Sequence, residues 1–220
     1  MVERIASRFG TIDVLVNNAG GIGSLVGFEE LTDADWQTLF DLNVFSMVRV
    51  TRSVLPYMRR HKHGRIINIA SEFGIQPDAE MPHYNASKAA IINLRKSMSK
   101  AFAKDGILVN TVSPASIQTP LVDEMLTSQA KAKGIEFAEA EAQFLAVKRP
   151  HIELHRAGRP EEVAAVCFFL ASQAASFITG PTSGSMADRL RAFKKHPRAG
   201  SCLTVQLAFP GYWENMSWPI

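Results

Sequence analysis

Three side chains with complementary chemistry lie close together in the sequence: Ser71, Tyr84 and Lys88. Tyr84 and Lys88 are four residues apart, so a helix that begins at Pro82 would place both on one face. A phenol titrates near about 10 in water, and a nearby ammonium group favours the phenolate. The pair could therefore exchange a proton near neutral pH, which predicts an acid/base role for Tyr84.

Ser71 is expected at the end of a buried strand. It directly follows the apolar run of residues 66–70, and open α/β sheets bind ligands at the carboxyl ends of their strands. The hydroxyl, the phenol and the amine would then converge on one ligand. The alternative is a chance pair, because Tyr and Lys at helical spacing are also common on solvated surfaces.

Further segments match a known pattern. Residues 17–20 (Asn-Asn-Ala-Gly) follow a short apolar run, Asn43 lies in a long helical segment, and residues 113–119 (Ser-Pro-Ala-Ser-Ile-Gln-Thr) follow another apolar run. In this order and at these separations, the segments resemble the short-chain dehydrogenase/reductase family. The resemblance extends from about Val2 to Gly180.

The resemblance and the apolar periodicity together predict an α/β fold. It would be a partial, Rossmann-like, doubly wound parallel sheet with three core strands and flanking helices. We expect the strands at residues 12–16, 65–70 and 107–112, and helices at residues 2–9, from Asp33 to near Gly64, from Tyr84 to about Lys104, and from Pro160 to about Ala171. Residues 121–150 would form a helical insertion. In the family the matching region is a lid over the substrate, so the sequence does not identify the substrate.

The resemblance also implies roles for individual residues. Tyr84 would be the general acid/base, Ser71 would bind the substrate oxygen, and Lys88 would hold the nicotinamide ribose and lower the pKa of Tyr84. Asn43 would support a proton relay, although a hydrogen-bonded core amide is the other interpretation. The implied cofactor is NAD or NADP, no metal is expected, and the cofactor contacts would be Asn17, Ala19, Gly20, Tyr84, Lys88, Pro114, Ala115, Ile117 and Thr119. Ala115 replaces a usual Gly, so a positive φ there would be strained.

Two departures from the family affect the prediction. The Gly-rich strand–turn–helix unit that holds a dinucleotide pyrophosphate has no counterpart ahead of Ile5, and after Gly180 the sequence no longer matches. We therefore expect a chain truncated at its N-terminus, with the edge of the strand at Val14 exposed. The expected domains are a partial Rossmann-like domain over residues 1–180 and a poorly ordered, non-family tail over residues 181–220.

Composition excludes little. The net charge of +3 arises beyond Gly180, because basic and acidic residues are equal in number before it. A basic tail without a recognised motif is a weak basis for nucleic-acid binding. No apolar run is long enough to span a membrane, and Cys167 and Cys202 have neither metal nor disulfide spacing, so a cytoplasmic location is expected.

The sequence thus predicts an NAD(P)-dependent oxidoreductase that interconverts a small-molecule carbonyl and a secondary alcohol, inactive as this chain alone. The intact parent would be a homo-oligomer. The alternative is a non-catalytic fragment that docks on an intact family subunit through the helices that begin at Asp33 and Tyr84.

Overall fold

The chain alternates helices with parallel strands, and the computed structural model describes residues 1–180 and 204–206. The helices are α1 (Val2–Phe9), α2 (Asp33–Phe40), α3 (Ser46–His61), α4 (Pro82–Phe102), α5 (Pro120–Lys133), α6 (Phe137–Lys148) and α7 (Pro160–Ala171). The strands are β1 (Val14–Asn17), β2 (Gly64–Ile69), β3 (Ile107–Val112) and β4 (Thr204–Gln206). The predicted α/β class is confirmed.

All the pairings of the sheet are parallel, and the strand order is β3-β2-β1-β4. The carboxyl ends of β1, β2 and β3 therefore lie side by side along one boundary of the sheet, its carboxyl edge, where ligands bind in open α/β folds. The three predicted strands are present. The prediction that the lateral edge of the strand at Val14 is exposed is wrong, because β4 pairs with residues 14–16 of β1.

Helices cover both faces of the sheet, as a doubly wound fold requires. On one face, Ala6 of α1 and Met58 of α3 pack with Leu15 and Ile66 of the sheet, and Phe102 of α4 lies against the same cluster. On the other face, Leu170 of α7 packs on alternate residues of the same strands, Ile67 and Val112. This alternation explains why the strands read as continuous apolar runs.

Local signals in the sequence set the helix ends. The side chain of Thr32 caps α2 by accepting a hydrogen bond from the backbone N–H of Asp35 (3.3 Å), and Pro82 occupies the first turn of α4. Gly106, with φ of 73°, turns the chain from the end of α4 into β3. A Cβ atom at Gly106 would collide with the carbonyl oxygen of Lys62, so this turn requires glycine.

The predicted tail lies mostly outside the described residues. Residues 181–203 and 207–220 are not described, so the division of the chain at Gly180 stays a prediction. Within the described part of the chain, none of the helices combines the length and apolar character needed to cross a membrane.

Candidate active site

Ser71 lies where β2 ends. Ala70 still donates a backbone hydrogen bond to Val112 of β3 (2.8 Å), and Ser71 then starts a short 3₁₀ turn, Glu72–Gly74. The Ser71 hydroxyl accepts a hydrogen bond from the backbone N–H of Phe73 (3.3 Å). This cap holds the buried hydroxyl at the carboxyl edge of the sheet, as predicted.

Tyr84 and Lys88 occupy successive turns of α4. The Nζ atom of Lys88 lies 5.6 Å from the centre of the Tyr84 ring, and the Ser71 side chain lies close enough to Tyr84 to lower the pKa of its phenol. Lys88 is only 5% exposed, whereas Tyr84 is half-buried. The fold thus brings together the three side chains that the spacing predicted.

Burial controls the protonation of this pair. The pKa of Tyr84 is raised above its ordinary value, chiefly because burial disfavours the phenolate; the Ser71 hydrogen bond lowers this pKa, and the charge of Glu72 raises it. Burial also lowers the pKa of Lys88 to about 8. The prediction that Lys88 leaves Tyr84 with a lowered pKa is therefore wrong for this chain, because burial of the phenol is the largest influence on that pKa. Tyr84 is protonated at neutral pH.

Asn43 acts as a structural tie. It lies in a π-helical turn, Asp41–Phe45, that joins α2 to α3, and it is buried. Its Oδ1 accepts from the backbone N–H of Gly21 (2.8 Å), and its Nδ2 donates to the Gly21 carbonyl (3.0 Å) and to Ser87 Oγ (2.9 Å). Both amide hydrogens are used, so the side chain fastens the turn after β1 to α4.

The turn after β1 approaches the site closely at Gly20. A Cβ atom at this position would lie 3.1 Å from Asn43 Oδ1 and 3.4 Å from Lys88 Nζ. Ala19 precedes it in the same turn. The turn therefore brings backbone close to the Lys88 ammonium. Asn17, by contrast, turns its amide into the sheet and donates to Thr51 Oγ1 (3.1 Å) and Asn68 Oδ1 (2.8 Å).

The segment after β3 is held at both ends. The carbonyl of Pro114 accepts from the backbone N–H of Glu72 (2.9 Å), Ile117 forms a parallel bridge with Gly158, and Thr119 caps α5 through its hydroxyl. Among the described residues other than glycine, positive φ occurs only at Lys62 and His155, so Ala115 is not strained. The segment lies at the same sheet edge as Ser71, but the Thr119 hydroxyl is already used in capping.

An ion cluster that the sequence did not indicate lies beside Ser71. The carboxylate of Glu72 is buried against Arg149 and His151, both of which follow α6. No sequence pattern links residues so far apart along the chain. Among residues 1–180 and 204–206, there is no group of His, Cys, Asp and Glu side chains suited to a metal ion.

The sheet topology and the site geometry define a Rossmann-like α/β protein with a Ser–Tyr–Lys site at the carboxyl edge of its sheet. The family model described as short chain dehydrogenase matches residues 1–130. A curated relative, the 3-oxoacyl-(acyl-carrier-protein) reductase FabG of Thermotoga maritima, is 35% identical over 184 residues, which cover 84% of this chain and 68% of the relative. The chain therefore belongs to the short chain dehydrogenase family, and it spans about two thirds of that relative's length.

Solved structures agree with this assignment. L-sorbose reductase from Gluconobacter frateurii, complexed with NADPH and L-sorbose, is 34% identical with a TM-score of 0.77; the match covers 86% of this chain and 72% of that chain. NAD⁺-bound xylitol dehydrogenase is 28% identical with a TM-score of 0.71, and the match covers 84% of this chain and 72% of that chain.

Proposed function

We propose that this chain carries the catalytic half of an NAD(P)-dependent oxidoreductase that interconverts a carbonyl group and a secondary alcohol on a small molecule. The observation that carries the proposal is the juxtaposition of Ser71, at the end of β2, with Tyr84, and of Tyr84 with Lys88 one helical turn away. A hydroxyl and a phenol that lie near each other at the carboxyl edge of the sheet can both bind a single substrate oxygen.

Each side chain then has one task. In the reductive direction, Tyr84 donates its proton to the substrate oxygen while the Ser71 hydroxyl donates a hydrogen bond to the same atom. The raised pKa of Tyr84 keeps the phenol protonated at neutral pH, so it is ready to act as the acid in the reductive direction. Lys88 lies beside the Tyr84 ring, one helical turn away, and Asn43 fixes the turn after β1 that approaches them. A water relay through Asn43 remains part of this proposal.

The residues present fit the nicotinamide half of a dinucleotide. When bound, the cofactor supplies or accepts the hydride. The backbone at Gly20 approaches Lys88 Nζ closely, since a Cβ atom there would lie 3.4 Å from it, and we propose that the nicotinamide ribose contacts Lys88 beside this turn. The other proposed contacts are on the turn after β1 and the segment after β3, at Asn17, Ala19, Pro114, Ala115, Ile117 and Thr119. Similar proteins bind NADPH or NAD⁺, so either dinucleotide is proposed here.

The pyrophosphate half has no comparable cradle in this sequence. Gly20 to Gly23 follow β1 but do not open a helix, so they do not form the Gly-rich unit that directs backbone N–H groups and a helix N-terminus at phosphates. We therefore propose that the 220-residue chain alone binds neither NAD nor NADP usefully and is inactive. Calorimetric titration with each dinucleotide tests this, and micromolar binding by a folded, monodisperse sample would contradict it.

Turnover is tested in a fusion. The N-terminal strand–turn–helix region of the Thermotoga maritima reductase, joined ahead of Met1, would supply the missing phosphate contacts. NADH and NADPH oxidation is then followed with a panel of small ketones and aldehydes, with the Tyr84→Phe fusion as the matched control. Equal activity of the two fusions would contradict the proposed role of Tyr84.

A second candidate function is docking on an intact family subunit. It is favoured by an open apolar groove along α4, lined by Gly74, Pro77, Ala86 and Ala89, and by the exposed ring of Phe45 near the start of α3. Small residues on a helix allow a second helix to approach closely. Co-expression with an intact relative should then give a heterodimer, and Ala89→Arg should prevent it. We also propose that the intact parent is a homo-oligomer and that the protein is cytoplasmic.

A further inference from the structure

A buried ion cluster that the proposed reaction does not use lies directly behind Ser71. Glu72 is 2% exposed, and its Oε1 atom lies 3.1 Å from Arg149 Nε. Its Oε2 atom lies 2.8 Å from His151 Nε2, close enough for the ring N–H to donate to the carboxylate. Arg149 and His151 come just after α6, so the cluster joins the end of that helix to the turn that carries Ser71.

Aromatic contacts extend the cluster to the proposed acid/base. The guanidinium carbon of Arg149 lies 4.4 Å from the centre of the Phe73 ring and 5.6 Å from that of Phe144 on α6. The Phe73 ring in turn meets the Tyr84 ring edge-on, with centroids 6.0 Å apart. Arg149 therefore touches α6 on one side and the neighbour of Tyr84 on the other.

Few other contacts could substitute for those between Glu72 and Arg149. An acidic oxygen of Asp78 lies 3.9 Å from Arg149 Nη1, beyond hydrogen-bond distance, whereas the neighbouring Lys148 pairs with Glu80 at 3.1 Å on the exposed surface. Removing either Glu72 or Arg149 would leave the other charge buried without its main partner, which is far more disruptive than loss of an exposed pair.

We propose that Glu72, Arg149 and His151 form a positioning cluster that fastens the C-terminal end of α6 to the Ser71 turn and thereby fixes Tyr84 beside Ser71. The proposal rests on the proposed function only in that Tyr84 is taken to be the acid/base. Its tests use no turnover, so failure of the proposed reaction would leave them unaffected. None of the three residues touches the reacting atoms, and their role is to position those that do.

The first test measures the titration of Tyr84 by NMR in the 220-residue chain labelled with ¹³Cζ-tyrosine. The sequence holds three tyrosines, and loss of one signal in Tyr84→Phe assigns the resonance. The charged and titratable groups around this ring are Glu72 and Lys88, with Arg149, His151 and Asp78 behind Phe73. The two main variants have opposite expected effects, which a loss of folding alone would not produce.

Glu72→Gln should lower the pKa of Tyr84, because an anion that raises it is removed while Arg149 stays. Arg149→Met should raise the pKa of Tyr84, because Glu72 then acts on the phenol without its cation. Shifts of the same sign in both variants, or no shift in either, would overturn the proposal.

The second test measures amide hydrogen exchange of α6. Protection of α6 peptides should fall roughly tenfold or more in Glu72→Gln and Arg149→Met, while α1 peptides keep theirs, because α6 loses its attachment and the sheet does not. Glu80→Gln, which removes the exposed partner of Lys148, is the matched control and should change neither helix. Equal loss of protection in α1 and α6 would show general destabilisation instead and would overturn the proposal.

A milder variant covers failure of the first two to fold. The His151 side chain is 36% exposed, so His151→Gln removes one contact with Glu72 and leaves the Arg149 pair in place. It should lower α6 protection less than Glu72→Gln, again without effect on α1. Unchanged α6 protection in a folded His151→Gln sample would contradict the place of His151 in the cluster.

Discussion

The Nζ atom of Lys88 donates a hydrogen bond of 3.1 Å to the carbonyl oxygen of Ile69, the last residue of β2. This contact joins α4 to the strand that carries Ser71, and so it fixes the distance between Ser71 and Tyr84. It also leaves the ammonium buried with one backbone partner, which explains why burial lowers its pKa to about 8. The geometry of the site is thus maintained at a cost in stability.

That cost should appear in the pH dependence of unfolding. Because the pKa of Lys88 falls from 10.5 in the unfolded chain to about 8 in the fold, the unfolded state binds more protons between these values, and stability rises with pH across this window. Lys88→Met should stabilise the fold below pH 8, by up to about 3 kcal/mol, and by much less above pH 10.5. Urea unfolding of both proteins from pH 7 to 11 measures the difference.

The matched control for this experiment is Lys96→Met. Lys96 lies on the same helix and also donates to a backbone carbonyl, that of Gly180, at 3.1 Å. Because Lys96 is exposed, its substitution removes the same kind of contact without removing a buried charge. A constant difference between Lys88→Met and the unsubstituted chain would contradict the buried, weakened charge assigned to Lys88.

The Tyr84 hydroxyl should be needed for turnover and not for cofactor binding. In the fusion described above, Tyr84→Phe should lower kcat by about 10²–10⁴-fold, because a positioned proton donor contributes about that much. The dinucleotide Kd should stay within a few-fold, since the ring and its contact with Phe73 are retained. Tyr57→Phe is the control, because Tyr57 packs against the core cluster under α3 and should leave both constants unchanged.

The sequence predicted most elements and the meeting of Ser71, Tyr84 and Lys88, because apolar runs, caps and helical spacing are local signals. The strand at residues 107–112 and the helix from Pro160 to Ala171 were predicted with the bounds that the structure has. Gly106 and Pro160 are strong local signals for where these two elements begin.

What the sequence did not predict depends on contacts between distant residues. The pairing of β4 with β1 and the cluster at Glu72 join segments with no shared pattern. The pKa of Tyr84 was predicted in the wrong direction because spacing alone shows a neighbouring charge but not the degree of burial. For the same reason, the family resemblance implied a relay role for Asn43 without revealing its bonds to Gly21.

Gly20 should tolerate no side chain without loss at the site. A Cβ atom there would press on Asn43 Oδ1 at 3.1 Å and stand 3.4 Å from Lys88 Nζ. Gly20→Ala should therefore weaken dinucleotide binding by the fusion and destabilise the chain by about 1 kcal/mol. Gly27→Ala is the control, since its Cβ would make only an ordinary contact with Glu30 at 3.6 Å. Calorimetry of both fusions measures the effect, and equal affinities would show that the close approach of Gly20 to Lys88 does not matter for cofactor binding.

Asn43 should stabilise the fold through the turn after β1. Asn43→Ala removes three hydrogen bonds and leaves the Gly21 backbone without its side-chain partners; each such group costs about 1–3 kcal/mol when it stays buried. Ser87 is less affected, because its hydroxyl still donates to the Tyr84 carbonyl (2.8 Å). The free energy of unfolding should therefore fall by about 2–4 kcal/mol, with most of the loss at Gly21.

A double-mutant cycle separates the two contacts of Asn43. Ser87→Ala alone should destabilise the chain modestly, and the coupling between Asn43→Ala and Ser87→Ala should be about 1 kcal/mol, the value typical of one buried hydrogen bond. Hydrogen exchange at the Gly21 amide should rise in Asn43→Ala and stay unchanged in Ser87→Ala, because only Asn43 accepts from that N–H. An unchanged Gly21 amide in Asn43→Ala, with stability preserved, would show that the turn is held by other contacts.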